Sequence, residues 1–149
     1  MPEEENTIEE EFPALRHSNY RIASQTNYNY NCLAWALNDT NHWWDKSEGC
    51  FWPFQEVPDD TIEGWIRIFE IHGFIRTESK EFEPGFEKVA IFAKLREPEH
   101  VARQMPSGYW TSKLGLGCDI EHETLESLEG ESYGTVSCIL RRWRKDRSQ

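Results

Sequence analysis

Cys32 opens the segment Cys32-Leu-Ala-Trp-Ala-Leu37, which follows an Asn-rich stretch and is closed by Asn38-Asp39. Asn31 or Asn29 suits an N-cap, so the spacing predicts a short helix with Cys32 in its first turn. Unpaired amides and the positive dipole end at that position favour a thiolate, and a thiolate is a nucleophile. Such a nucleophile needs a histidine to accept and return a proton, and a polar group to orient that histidine. His100 stands downstream at the start of a predicted strand. Asp119 is the first choice as orienting group, because a carboxylate fixes the tautomer and stabilises an imidazolium. His122 and Glu121 are the alternatives. Each of these residues also has a plain structural reading: a small buried cysteine, a loop histidine, a helix cap.

An oxyanion beside Cys32 would be met by its own amide and a side-chain donor just upstream. Gln25, Asn27, Asn29 and Asn31 all qualify. Trp43, Trp44 and Trp52 fall close together with Trp35, as a packed aromatic cluster or the wall of a binding cleft would. Cys50, Cys118, His100 and His122 offer metal-ligand chemistry without a short-spaced anchoring pair, so neither a metal nor a cofactor is expected. Phosphate-loop, dinucleotide-binding, nucleophile-elbow and zinc-protease motifs are absent from the sequence.

The elements that must position these groups can be read coarsely. Residues 1–18 read as an acidic tail or extended lead-in, with six glutamates in the first eleven positions. Residues 19–31 read as a loop leading to the Cys32 helix. A clear helix follows over 60–73, with Asp60 as cap, Glu63 completing a capping box, Ile62, Trp65, Ile66 and Phe69 inward, and Gly73 as stop. Phe74-Ile75-Arg76 is a short strand and residues 87–94 a strand apolar on both faces. Two alternating runs around Pro106-Ser107-Gly108 predict a hairpin, which sets residue 100 opposite residue 114. Asp119 or Thr124 would begin a short helix, and a last helix would cover 133–144 with Tyr133, Val136, Leu140 and Trp143 inward. This order gives an α+β domain over 19–149.

Composition narrows the function classes. The chain has 149 residues, a formal net charge of −11 and four cysteines. A nucleic-acid binder needs a cationic surplus, and the Arg-rich run at 141–147 is read as a solvated helix end. No apolar run approaches the ~20 residues of a membrane span, and the acidic start lacks a secretory pattern. The expectation is a cytoplasmic domain with reduced thiols.

The blocks Tyr30-Asn-Cys-Leu-Ala-Trp-Ala36, His100-Val-Ala-Arg-Gln-Met-Pro-Ser-Gly-Tyr-Trp-Thr-Ser-Lys-Leu-Gly115 and Asp119-Ile-Glu-His122 resemble those of an uncharacterised bacterial domain family. More distantly, a Cys-bearing helix followed by a His-bearing strand is similar to papain-like cysteine amidases and peptidases. That resemblance implies a papain-like fold, with the Cys helix packed on a small antiparallel sheet between flanking helices. It also implies Cys32 as nucleophile, His100 as base and Gln25 as oxyanion donor. This chain has Asn31 where those enzymes place Asp before the cysteine. Twelve residues after His100 it has Ser112, where they place His or Asn. Two functions follow as expectations. One is a cysteine hydrolase acting on a peptide, amide or isopeptide bond through Cys32, His100 and Asp119. The other is a non-catalytic acidic module, of immunity or partner-binding type, that docks a basic protein.

Overall fold

A strand that is apolar on both faces needs a layer on each side and a strand along each edge. The segment Phe86–Lys94, strand β3, meets all four requirements. The computed structural model of the protein describes residues 2–24, 32, 36, 61–114 and 118–144. In chain order its strands are β1 (Tyr20–Ser24), β2 (Ile75–Thr77), β3, β4 (Glu97–Gln104), β5 (Trp110–Lys113), β6 (Asp119–His122) and β7 (Thr135–Trp143). They form one antiparallel sheet in the order β1-β6-β5-β4-β3-β7-β2, with β4 and β7 on either side of β3. With helices on both faces, the fold is α+β.

On one face lies helix α2 (Ile62–Ile71), whose Trp65, Ile66, Ile68 and Phe69 pack with Phe74, Val89, Ile91, Val101 and Leu140. Its cap is Thr61, whose hydroxyl accepts from the Gly64 amide at 3.0 Å. This is one residue beyond the expected Asp60, which lies outside the described residues. The shift leaves Gly64 at the position a capping-box glutamate would need. Gly73, at φ +91°, stops the helix as expected, and Phe74 folds back edge-on against Phe69 at 5.4 Å. Thr61→Ala is expected to cost about 1 kcal/mol, read as a lower urea midpoint at unchanged slope.

The other face is covered from the N-terminus. Helix α1 (Pro2–Glu11) and the single turn Pro13–His17 replace the expected extended lead-in. Ile8, Phe12 and Leu15 form a buried stripe against Phe92, Trp110, Ile120, Leu125 and Leu128. Their spacing is i, i+4, i+7, an amphipathic signature that the surrounding glutamates obscure.

Three further expectations are corrected. Tyr20–Ser24, read as loop, is an edge strand in register with β6 through Tyr20↔His122 and Ile22↔Ile120. Asp119 starts strand β6 rather than a helix, and the only regular turn nearby among the described residues is Glu126–Leu128. The last helix expected over 133–144 is strand β7. Apolar residues at 133, 136, 140 and 143 fit a helical period, but β3 demands a strand along that edge, and tertiary pairing overrides periodicity. As a result Trp143, expected inward, is 59% exposed. The hairpin register is as expected: Arg103↔Thr111 and Gln104↔Trp110 centre the turn on Ser107. No helix among the described residues is long and apolar enough to cross a membrane.

Candidate functional site

Strand alternation sorts the candidate residues by face. On β4, Val101 and Arg103 point toward the α2 layer, so His100 and Ala102 point toward the α1 layer. On β5, Trp110 and Ser112 face the α1 layer, and Thr111 and Lys113 face the α2 layer.

His100 is fully buried. Its ring lies flat on Tyr133, with centroids 4.1 Å apart and planes 1° apart, and Phe92 closes a second side at 5.5 Å. Among the described residues neither ring nitrogen has a hydrogen-bond partner. Burial, with a smaller push from His122, holds its pKa well below the usual histidine range, so the ring is neutral. Tyr133 arrives on a tight loop closed by reciprocal Gly130–Gly134 amide bonds of 3.0 and 2.8 Å. Burial pushes its phenol well above the ordinary tyrosine value.

His122 is fully buried too, but it is bonded at both nitrogens. Nδ1 faces the Thr124 carbonyl at 2.9 Å, an acceptor only, so Nδ1 carries the proton. Nε2 then accepts from the Ser112 hydroxyl at 2.8 Å. Burial brings the His122 pKa down to about 4, against the opposing pull of the Thr124 carbonyl. A hydroxyl donating to an imidazole is the geometry of a serine nucleophile, yet both side chains have 0% exposure. In this conformation no substrate reaches the pair, and it acts as a buried, satisfied network.

Asp119 sits on the opposite face of the sheet from His100. It is buried across from Lys113 in the β5–β6 ladder. Burial lowers the Lys113 pKa, while the charges of Asp119, Cys32 and Cys118 oppose that shift. Asp119 is therefore coupled to an ammonium, and the structure does not bring it to the His100 ring.

Cys32 and Ala36 are helical, as the sequence implies. Ala36 is buried in the α2-side cluster, with the half-buried Cys32 packed against it. Cys32 thus packs on the α2 side of the sheet, whereas His100 and its Tyr133 stack lie on the α1 side. No hydrogen bond joins Cys32 to either His100 nitrogen. Gln25, Trp43, Trp44 and Trp52 lie outside the described residues. Among the described residues no group of three or more His, Cys, Asp or Glu side chains could hold a metal ion.

The profile of one protein family, described as a domain of unknown function (DUF7689), matches residues 21–141. The chain belongs to that family. No curated protein and no solved structure matches. The DUF7689 match begins in β1 and ends in β7, so it contains Cys32, His100, Ser112, Asp119, His122 and Tyr133 and leaves α1 outside.

Sequence reasoning missed Ser112, Lys113 and Tyr133 as site members. A signal for the first existed: a strand at 119–122 paired to the hairpin sets His122 opposite Trp110, one pleat from Ser112. For Tyr133 the signal was the Gly130–Gly134 spacing, which marks a tight loop that must point its central side chains somewhere.

Proposed function

We propose that this DUF7689 domain is a non-catalytic, acidic interaction module that docks a basic protein partner. The state of His100 carries the reading. A general base must stand within hydrogen-bond reach of its nucleophile and of solvent. His100 is sealed, flat against Tyr133, and bonded to nothing among the described residues. The net charge of −11 supplies the positive case. Carboxylates already hold cations in place, as in the exposed Glu121–Arg21 pair at 3.0 Å and the part-buried Glu87–Arg142 pair at 2.9 Å, and the surplus attracts cationic partners over a Debye length.

One observation favours a second reading, a papain-like cysteine hydrolase. Cys32 is helical and half-buried, as a nucleophile in the first turn of a helix would be. A rotation of His100 off Tyr133 would then be the activating step.

Thiol alkylation separates the two. Burial raises the Cys138 pKa, which makes it an internal slow standard. The interaction module is expected to alkylate Cys32 within about threefold of Cys138 near neutral pH, and Cys32→Ala to keep its salt-sensitive binding to basic proteins. Cys32 reacting about tenfold faster than Cys138 at mildly acidic pH would decide for the hydrolase.

A further inference from the structure

Strand β7 is paired unequally along its two sides. Toward β3 the ladder runs its whole length, from Phe86↔Trp143 to Ala93↔Thr135. Toward β2 it covers three residues, Thr77↔Ile139, Arg76↔Leu140 and Ile75↔Arg141. Residues 135–138 have no strand on that outer side among the described residues. A groove of about 520 Å³ runs along them, with Arg76, Thr77 and Glu78 on one wall and residues 136–139 on the other. The bulge at Ile91/Phe92 also interrupts the ladder here, and the Val136 amide donates to the Glu129 carboxylate at 3.0 Å instead of to a strand.

We infer that this groove is the docking site itself, and that its occupant is an extended, basic segment of the partner that adds as a strand to β7. The inference rests on the interaction-module reading. An open edge recognises an extended chain through its alternating amides and carbonyls. Four residues of it span about 13 Å, enough for a short strand. The sign of the occupant follows from Glu78 in the wall and Glu129 on the Val136 amide, set against Arg76. The bulge turns the half-buried Val136 and Cys138 to opposite faces of the sheet, one apolar seat on each, so a cationic strand with small apolar residues along either face can fill one of them.

The test uses the full chain and a fluorescent peptide of about eight residues, alternating Lys and Val, alongside versions N-methylated at every second amide in either register. Binding of the parent should slow hydrogen exchange at those amides of residues 135–138 that bond neither to β3 nor to Glu129. One N-methylated register should bind at least about tenfold more weakly, because its edge donors are gone. Ser137 is exposed, so Ser137→Lys should fold normally and weaken binding about fivefold, and Ser137→Glu should strengthen it. Equal binding of parent and both N-methylated peptides, or protection confined to another surface, overturns the edge assignment and leaves the acidic-module reading standing. No binding of parent peptide or basic protein at low salt overturns both. Concentration-dependent dimers protected at 135–138 would give the edge to a second copy of this chain and overturn the proposed occupant.

Discussion

Lowering the pH from about 6.5 to about 4 should remove on the order of 3 kcal/mol of stability through His122 alone. The folded pKa of His122 is about 4, against an ordinary 6.5, so between those values the unfolded chain binds the extra proton. Stability is therefore fully present above the unfolded value and is lost as pH falls toward the folded one. His100 shifts in the same direction, from burial first and His122 second, so its loss adds to this and continues to lower pH. Glu83, held low by Arg141 and Lys88, and Glu126, held low by Lys80, titrate beneath most of this window. Urea unfolding at half-unit pH steps measures the effect. His100→Phe keeps the stack on Tyr133 and removes two buried nitrogens that have no partner, so it should be at least as stable as wild type at neutral pH and should flatten the acid limb. A wild-type profile already flat between pH 6.5 and 4.5 would show that the histidine pair is hydrated.

Gly134→Ala should be the most damaging single methyl in the described chain. Gly134 has φ +74°, and a Cβ there would lie 2.0 Å from the Ala93 carbonyl oxygen and 2.7 Å from its carbon. Both are backbone atoms of strand β3, paired on both sides, so neither can rotate away. The loop must lift, which breaks the Gly130–Gly134 pair and draws Tyr133 off His100. The expected cost exceeds about 3 kcal/mol, the range reserved for backbone conflicts and core disruption. Gly73→Ala is the control: φ is +91°, but nothing lies within 4 Å, so only the left-handed backbone penalty of about 1–2 kcal/mol applies. Equal losses in the two variants would show that the Gly134 loop has room to move.

The parts of this fold that were legible in sequence are those in which local and tertiary preferences agree. Helix α2 has its apolar stripe, its cap region and Gly73, and the hairpin has Pro106-Ser107-Gly108 between alternating runs. The parts that were not legible are those in which a neighbour decides. Residues 135–143 carry a helical spacing of apolar side chains, yet β3 needs an edge partner and takes them as a strand. Ile8, Phe12 and Leu15 share a helical spacing across α1 and the turn after it, but one diluted by carboxylates. His100 was singled out from its strand position. Its surroundings were not, because Tyr133 comes from a loop whose direction depends on a glycine meeting Ala93. A carboxylate suits Asp119 to orient His100, but the pleat, which no residue type announces, turns the two to opposite faces.

The insertion of β7 between β3 and β2 also sets the order in which the chain can fold during translation. β3, β4, β5 and β6 are sequential neighbours and can zip as they emerge. β2 has β7 as its strand neighbour, so it waits until residues 135–143 have been synthesised, and β1 must find β6 across about a hundred residues. Until then β3 presents Val89, Ala90, Ile91 and Phe92 along an uncovered edge, a segment without charge or proline. The nascent domain thus passes through a window in which the apolar middle of β3 is its most aggregation-prone segment, and slower translation of the stretch after β6 would lengthen that exposure.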